Sequence, residues 1–238
     1  MLEISALRTG YADSVVIEDL SLNVRQGEFV VVIGPNGHGK TTLLRAISGL
    51  LPLKRGTITY RGERIDGKPT ESIVSKGLVQ IPQGDMLFPE MSVQENLLLG
   101  GFVLPSRSER QERLAQVYEI FPRLLERKEQ QARTLSGGER RMLALGRGLM
   151  TRADLLLIDE PSLGLAPVLV DEVYDRIAAI ASSGVTVLLV EENFAHVREV
   201  ADRVVLIENG AVVLEGTVDD VLNNAAVTAT YLGVGVDE

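Results

Sequence analysis

Residues 34–41 form a glycine-rich stretch that suits the binding of a nucleoside triphosphate. They read Gly-Pro-Asn-Gly-His-Gly-Lys-Thr and follow the apolar run Phe29–Ile33. The spacing matches the pattern G-x-x-x-x-G-K-[ST], in which glycines let the backbone curl round a phosphate and aim N–H groups at its oxygens. Lys40 is then expected to reach the β- and γ-phosphates, and Thr41 to bind Mg²⁺, so the sequence predicts an ATP or GTP site. The predicted nucleotide-binding residues of this loop are Gly34, Pro35, Asn36, Gly37, His38, Gly39, Lys40, Thr41 and Thr42.

A glycine-rich turn that only joins a strand to a helix is the structural alternative for this stretch. The run before the loop predicts a strand, and Thr42–Ile47 predicts an amphipathic helix after it. Strand, loop and helix in that order are the context that a phosphate loop requires, with the positive end of the helix facing the anion. The order favours nucleotide binding over a structural turn.

Two adjacent carboxylates end a second apolar run, Leu155–Ile158. Open α/β sheets bind ligands at the carboxyl ends of their strands, which is where Asp159 and Glu160 lie. Asp159 is predicted to complete the Mg²⁺ shell, and Glu160 to orient or deprotonate the attacking water. Such a pair alone is often a solvated turn, and the phosphate loop elsewhere in the chain is what favours a catalytic role.

The strands and helices that position these residues can be predicted from the sequence pattern. Short apolar runs alternate with amphipathic segments of helix length. The alternation predicts an α/β fold with a mainly parallel sheet. The early runs are closely spaced, with turns such as Gln26-Gly27, and predict an N-terminal antiparallel β layer. The predicted strands are Leu2–Leu7, Leu20–Val24, Phe29–Ile33, Thr57–Tyr60, Leu78–Ile81, Leu155–Ile158, Val185–Val190, Val204–Ile207 and Ala211–Leu214.

The stretch from Ser92 to about Met150 shows no strand pattern. Ser92 and Glu95 form a capping box that opens a helix, and residues 108–121 are charged with apolar positions at helical spacing. We therefore predict one domain over residues 1–238. Its core and β layer occupy 1–84 and 151–238, and a helical subdomain occupies 85–150.

Composition excludes several classes of protein. The 238 residues are 45% hydrophobic, enough for a substantial core, and no apolar run is long enough to span a bilayer. The beginning of the chain lacks the features of a secretory signal, so we expect a cytosolic protein. Cysteine is absent, which excludes thiol catalysis, disulfides and Cys-ligated zinc. The formal net charge of −9 argues against a nucleic-acid partner.

The segment Leu135–Glu139 reads Leu-Ser-Gly-Gly-Glu and adds a third motif. Its glycines precede a predicted helix, Glu139–Gly148, and leave a bare, positive backbone end. With this motif, the sequence resembles the ATP-binding subunits of ABC transporters over essentially its whole length. The resemblance implies the P-loop NTPase fold, ATP and Mg²⁺ as cofactors, and binding of Ser136, Gly137 and Gly138 to the γ-phosphate of ATP held on the opposite subunit.

Other positions match the family individually. Tyr11 lies where an aromatic ring stacks on adenine, although a lone Tyr is about as often a packing residue. Gln83 matches the glutamine that touches Mg²⁺ and the attacking water. The apolar loop Gly84–Pro89 either packs internally or forms part of a groove for a transmembrane subunit's coupling helix. The implied metal ligands are Thr41, Gln83 and Asp159.

Residue 192 departs from the family pattern. After the strand Val185–Val190 the family usually has a histidine that contacts the γ-phosphate, and this chain has Glu192, with His196 one helical turn later. An ionised carboxylate at that place would repel the phosphate. Glu192 is therefore expected to be protonated when ATP binds, to swing away, or to make a slow site beside a better one on a paralogous partner.

The resemblance extends to a subgroup. Residues 161–167, Pro-Ser-Leu-Gly-Leu-Ala-Pro, together with Tyr231–Gly233, look like the importers of branched-chain amino acids and their urea and amide relatives. Many other members carry Asp in place of Ala166. The resemblance implies an ATPase that couples dimerisation to uptake of a small polar solute. Its partners would be a second ATPase subunit (itself or a paralogue), two transmembrane permease subunits and, indirectly, an extracytoplasmic solute-binding protein, at the cytoplasmic face of the membrane.

Three alternatives remain open. Residues 136–141 and Tyr231–Gly233 also look like a lipid or lipopolysaccharide exporter ATPase. An ABC ATPase of DNA repair, chromosome organisation or translation would carry coiled coils, zinc modules or a fused second unit, and the single acidic unit here argues against it. A nucleotide-binding regulator without hydrolysis is disfavoured by Glu160.

Overall fold

The computed structural model of the chain describes residues 1–192 and 198–224. The strands of this part of the chain are β1 (Leu2–Thr9), β2 (Ile17–Val24), β3 (Phe29–Ile33), β4 (Leu53–Tyr60), β5 (Glu63–Arg64), β6 (Leu78–Ile81), β7 (Leu155–Asp159), β8 (Thr186–Glu191), β9 (Arg203–Glu208) and β10 (Ala211–Gly216). The helices are α1 (Lys40–Ile47), α2 (Thr70–Ser75), α3 (Val93–Gly100), α4 (Arg107–Ile120), α5 (Pro122–Glu126), α6 (Gly137–Leu149), α7 (Pro167–Ser182) and α8 (Val218–Leu222).

The chain divides into two compact units. The first contains Met1–Ile73 and the described residues from Thr186 onward, and the second contains Val74–Val185. Residues 85–150, the predicted helical subdomain, all belong to the second unit. The boundaries predicted after residues 84 and 150 stay predictions.

An antiparallel layer in the first unit confirms the β layer expected from the sequence. Its strand order is β2-β1-β4-β5, and β1 pairs antiparallel with both β2 and β4. In β2 the apolar residues Ile17, Leu20, Leu22 and Val24 are buried while residues between them are exposed. One face of the layer is therefore apolar, as an antiparallel sheet with one solvated face requires.

The parallel part of the first unit is built around β3. This strand pairs in parallel with β8 on one side and β9 on the other, and β10 runs antiparallel to β9. All residues of β3 and β8 are buried. Strands covered on both faces read as continuous apolar runs, which is why Phe29–Ile33 could be recognised from composition. The register pairs Ile33 with Glu191, so the residues that follow β3 and β8 lie side by side.

The second unit joins two parallel strands, β6 and β7, with α3 to α7. Ser92 caps α3 and Ser136 caps α6, each in a reciprocal capping box with the glutamate three residues later. The structure describes all of residues 92–150, and its only β pairing there is one isolated bridge between Ser92 and Gln131. The helical segment predicted from the sequence is thereby confirmed. Among the described residues, no helix is both long and apolar enough to cross a membrane.

Candidate functional site

The glycine-rich loop runs from the end of β3 to the start of α1 in a backbone shape that only glycine tolerates. Gly34 has φ +152°, and a Cβ atom there would lie 2.1 Å from the carbonyl oxygen of Ile207. Gly39, with φ +105°, occupies the N-cap position of α1 in the left-handed region. These glycines allow the chain to turn directly from a buried strand into a helix. The loop therefore presents backbone N–H groups and a helix N-terminus at one place, which suits a phosphate.

Lys40 lies back over this loop. Its Nζ donates hydrogen bonds to the carbonyl oxygens of Gly34, at 2.8 Å, and Pro35, at 3.2 Å, and the residue is only 4% exposed. The ammonium group is thus held at the strand end of the loop by the main chain itself. A triphosphate in the loop would meet this cation at its terminal phosphates, as the pattern requires.

The turn of a neighbouring hairpin holds the loop through two hydrogen bonds to His38. Its Nδ1 accepts a hydrogen bond of 3.1 Å from the N–H of Asn209, and its carbonyl oxygen accepts one from Gly210. Asn209 and Gly210 form the turn between β9 and β10, with φ of +50° and +75°. Sequence reasoning missed this support, although Asn-Gly between two apolar runs is a strong hairpin signal. The imidazole of His38 therefore has a structural contact beside its predicted place in the nucleotide site.

The remaining residues predicted for the loop differ in exposure. Gly37 has φ +82°, and a Cβ atom there would have no other atom within 4 Å, so it lies at the open tip of the loop. Thr42 is buried in the first turn of α1, and Thr41 beside it is partly exposed. The hydroxyl of Thr41 belongs to the group of hard oxygen donors that Mg²⁺ prefers.

Tyr11 is held beside Arg45 in the first unit. Arg45 donates a 2.8 Å hydrogen bond from Nη1 to the Tyr11 hydroxyl, and its guanidinium carbon lies 6.0 Å from the ring centroid. The tyrosine is 42% exposed. A ring that is oriented by its hydroxyl and still exposed can stack on a planar base, and this role stays a prediction.

Glu192 follows β8 and reaches the phosphate loop. Because Ile33 pairs with Glu191, Glu192 lies beside the first residues of the loop. Its Oε2 accepts a 2.9 Å hydrogen bond from Nδ2 of Asn36. The first unit therefore brings a carboxylate to the same loop that holds Lys40. His196 and Tyr231–Gly233, which also entered the sequence argument, lie outside the described residues.

The predicted catalytic carboxylate and glutamine meet in the second unit. Gln83 donates a hydrogen bond from Nε2 to Oε2 of Glu160 at 2.7 Å. Glu160 is 7% exposed and adopts φ +44°, a left-handed conformation that is uncommon for a residue with a side chain. Asp159, at the end of β7, is 2% exposed. Strained backbone and nearly buried carboxylates at a strand end are typical of functional positions.

Ser136 caps the helix that carries the Ser-Gly-Gly motif. Its Oγ accepts a hydrogen bond from the N–H of Glu139, and a carboxylate oxygen of Glu139 accepts one from the N–H of Ser136. Burial raises the pKa of Glu139, but the hydrogen bonds from Ser136 and the charges of Arg127 and Arg123 together hold it below its usual value. The Ser136 hydroxyl also donates to the Glu139 carboxylate, so its proton must turn away from Glu139 to reach a bound anion. Gly137 and Gly138 form the first turn of the same helix.

An apolar groove lies in the second unit beside the loop Gly84–Pro89. It measures about 490 Å³ and is lined by Phe88 and Phe102 among other residues, which are 50% and 82% exposed. Leu87, from the same loop, lines a separate hollow of about 240 Å³ with Arg133 and Arg140. Phe88 therefore lines the groove and Leu87 the smaller hollow, and the role of the groove as a permease contact stays a prediction.

The predicted metal ligands Thr41, Gln83 and Asp159 offer hydroxyl, amide and carboxylate oxygens. These donors fit Mg²⁺, which binds through one or two carboxylates and substrate phosphates rather than through a full protein cage. Residues 1–192 and 198–224 contain no group of three or more His, Cys, Asp or Glu side chains arranged to hold a metal. The assignment of all these site residues stays a prediction.

The chain is similar in sequence to ATP-binding proteins of ABC transporters. The family model described as "ABC transporter" matches residues 17–163. The branched-chain amino acid transport ATP-binding protein BraG of Pseudomonas aeruginosa is 42% identical over 233 residues, which cover 98% of this chain and all of that protein. The Nod factor export ATP-binding protein I of Cupriavidus pinatubonensis is 36% identical over 94% of this chain and 68% of its own length.

A solved structure agrees with these sequence relatives. The ADP conformation of MJ1267, an ATP-binding cassette of an ABC transporter, superimposes with a TM-score of 0.88. The two chains are 27% identical, and 98% of each is covered. The likeness therefore extends over the full chain rather than over the phosphate loop alone.

Proposed function

The chain belongs to the ABC transporter family as one of its ATP-binding, ATP-hydrolysing subunits, and from this premise we propose that it powers the import of branched-chain amino acids. The observation that carries the proposal is the 42% identity to BraG over nearly the whole of both chains. Residues 161–167, which look like this subgroup, support the same solute.

We propose that Lys40 binds the β- and γ-phosphates of ATP from the strand end of the loop. Its contacts with the carbonyl oxygens of Gly34 and Pro35 are ones that a phosphate can replace with stronger, charge-assisted hydrogen bonds. Backbone N–H groups of the loop add further donors to the phosphate oxygens. Tyr11 stacks on the adenine ring at the other end of the nucleotide.

Hydrolysis is assigned to the pair Glu160 and Gln83. Glu160 orients the attacking water or accepts its proton, and the hydrogen bond from Gln83 holds that carboxylate in one position. Mg²⁺, held by Thr41, Gln83 and Asp159, would neutralise phosphate charge during the transfer. A carboxylate fixed by a neighbour loses less freedom when the water binds, which favours the reaction.

Ser136, Gly137 and Gly138 are proposed to bind ATP that is held by a second ATPase subunit. The N-terminal N–H groups of α6 favour an anionic ligand, and the Ser136 hydroxyl can join them by turning its proton from Glu139 to the phosphate. Two subunits arranged head to tail would enclose two nucleotides, and hydrolysis would reopen the pair. The second subunit is either another copy of this chain or a paralogue.

The groove at Phe88 is proposed as the contact for a transmembrane permease. Phe88, Leu99 and Phe102 are exposed around it, and such a group of apolar side chains is typical of a protein contact. We further propose that the subunit binds the cytoplasmic face of the membrane through two permease subunits. A solute-binding protein on the opposite side would deliver the amino acid.

Export is the second candidate, and the similarity to a Nod factor export protein is the observation that favours it. That similarity covers 68% of the exporter's own length, whereas the similarity to BraG covers the whole of BraG. Urea or a short amide remains a variant of the import proposal. Import of a branched-chain amino acid is therefore the better supported function.

The solute can be tested with the intact complex. A tagged chain is purified from its own host with the membrane proteins that it retains, reconstituted in vesicles with the solute-binding protein, and assayed for ATP hydrolysis. We expect leucine, isoleucine or valine to stimulate hydrolysis and to accumulate inside. Stimulation by urea or short amides alone would contradict the amino-acid proposal, and outward movement of a lipid-linked solute would favour export.

A further inference from the structure

The loop that follows Gln83 contains a carboxylate held by arginines of α6. We propose that Asp85 is a positioning residue: through Arg140, Arg141 and Arg147 it keeps Gln83 beside Glu160. The proposal rests on the catalytic roles proposed above for Gln83 and Glu160.

The backbone around Asp85 is strained. Gly84, Asp85 and Met86 have successive φ values of +79°, +56° and +49°. Two adjacent left-handed residues with side chains are costly, and such a turn persists only where its surroundings hold it. This turn begins one residue after Gln83, so the contacts that hold it also limit where the Gln83 side chain can reach.

Arginines of α6 supply those contacts. The Asp85 carboxylate lies 3.6 Å from Nε of Arg140 and 3.3 Å from Nη1 of Arg141, and the Asp85 side chain is 20% exposed. The Arg141 side chain is 4% exposed, so this ion pair is well shielded from water. Arg147 adds a 3.3 Å hydrogen bond from Nη2 to the carbonyl oxygen of Asp85. Salt and water weaken a shielded pair less than an exposed one, and this pair acts through charge, since neither Oδ1 of Asp85 nor Nη1 of Arg141 has a hydrogen-bond partner among the described residues.

Arg147 also connects this cluster to the groove. Its guanidinium carbon lies 5.8 Å from the ring centroid of Phe88. Burial lowers the pKa of Arg147, and the negative charge of Asp85 opposes that lowering. The Asp85 carbonyl oxygen therefore helps to position the guanidinium that lies beside the aromatic ring of the proposed permease contact. Asp85 thus ties the Gln83 end of the loop to α6, and the main chain of Phe88 is also bound by Asn96 of α3.

The test uses a reporter in the loop itself. The chain has no tryptophan, so Phe88→Trp gives a single indole whose acrylamide quenching reports how firmly the loop is held. In that background Asp85→Asn removes the charge, while asparagine still tolerates the left-handed conformation. The matched control is Glu90→Gln, because Glu90 pairs with Arg133 at 3.3 Å but both side chains are exposed, 73% and 57%.

We expect Asp85→Asn to increase quenching and, without the tryptophan, to lower kcat for ATP hydrolysis about tenfold at unchanged KM. Glu90→Gln should change neither. Should Asp85→Asn not fold, Asp85→Gly removes the carboxylate and is expected to increase quenching, because glycine leaves the unanchored turn free to adopt more conformations. Equal quenching in the Asp85 and Glu90 variants contradicts the proposal, as does a rise in KM at constant kcat. The quenching experiment needs no hydrolysis. It therefore tests whether Asp85 holds the loop even if the proposed ATPase roles of Gln83 and Glu160 are wrong.

Discussion

Lys40 is the cation of the phosphate loop, and its side chain is buried against the loop's own carbonyl oxygens. Lys40→Ala is expected to lower ATP affinity at least about tenfold, because hydrogen bonds to charged groups contribute about 1.5 to 3 kcal/mol. Isothermal titration with ATP measures the change. Lys68→Ala is the control, since Lys68 pairs with Glu63 at an exposed place in the same unit. Equal affinities in the two variants would mean that the phosphates bind elsewhere.

Glu192 places a negative charge where a triphosphate would end. Two unit charges about 4 Å apart repel by about 4 kcal/mol at an effective dielectric of about 20. The Asn36 side chain holds the carboxylate at 2.9 Å, so we expect ATP binding either to break this contact or to require a protonated Glu192. We expect Glu192→Gln to raise affinity for ATP more than for ADP and to maintain or raise turnover. Titration with both nucleotides gives the ratio.

Asn36→Ala serves as the companion variant for Glu192, because it frees the carboxylate without removing its charge. An ATP-to-ADP affinity ratio that is the same in wild type and Glu192→Gln would show that the carboxylate does not face the terminal phosphate.

At the scale of elements, neighbouring residues of the loop after β6 line two different cavities. Phe88→Asp is expected to prevent assembly with the permease, because a charge in an apolar contact must be desolvated and loses packing. Leu87→Asp should have the smaller effect, since Leu87 lines the separate hollow. Co-purification of the permease measures assembly. Leu125→Asp changes an exposed apolar residue of α5 and is the control. Normal assembly of the Phe88 variant would place the contact elsewhere.

Elements that bury both faces or carry a cap were predictable from the sequence. β3 has the predicted bounds because its residues form one apolar run, and α3 begins after a capping box that is visible as Ser92 and Glu95. The two-residue strand β5 was missed, because Glu63 and Arg64 are exposed and show no apolar alternation. α4 begins at Arg107, inside a stretch that reads as a loop, because Ser106 acts as its cap.

Contacts between residues distant in sequence could not be predicted. The hydrogen bond between Gln83 and Glu160 joins positions 77 residues apart, and nothing in either local pattern specifies it. The contacts of Asp85 with α6 depend on the same long-range packing. The sequence identified the residue types of the site, whereas the structure was needed to pair them.

At the scale of the molecule, an ion pair in the first unit joins the residue before β3 to the start of β9. Arg203 donates to the Glu28 carboxylate at 2.7 and 2.9 Å, and both side chains are largely buried. Burial raises the pKa of Glu28, but hydrogen bonds from Arg203 and Arg25 and their charges hold it below its usual value. Because the pKa of Glu28 is lower in the folded protein than in the unfolded chain, the ion pair stabilises the protein at pH values above the unfolded-state pKa. This stabilisation is lost as the pH falls through the folded-state pKa.

Glu28→Gln is therefore expected to lower the free energy of unfolding by about 1 to 3 kcal/mol at pH 7 and by less below about pH 4. Urea unfolding followed by circular dichroism at several pH values checks this. A destabilisation that is constant over that range would contradict the assigned role of the ion pair.

Dimerisation is the second expectation at this scale. If two subunits enclose ATP, blocking hydrolysis should trap them together, so Glu160→Gln is expected to sediment as a dimer with ATP and as a monomer with ADP. The experiment is run with the co-purified partner ATPase wherever the host supplies one. A variant that stays monomeric with ATP and also hydrolyses it at the wild-type rate contradicts both the dimer and the role of Glu160.

Glu160 is the residue through which we expect this chain to hydrolyse ATP. The most direct measurement is phosphate release by wild type and by Glu160→Gln at saturating ATP and Mg²⁺, with ATP affinity measured in parallel. Glutamine keeps the shape of the side chain and loses the carboxylate, so we predict unchanged affinity and a fall in turnover of about 100-fold or more. Phosphate release by Glu160→Gln at the wild-type rate, with the same ATP affinity, would contradict the account.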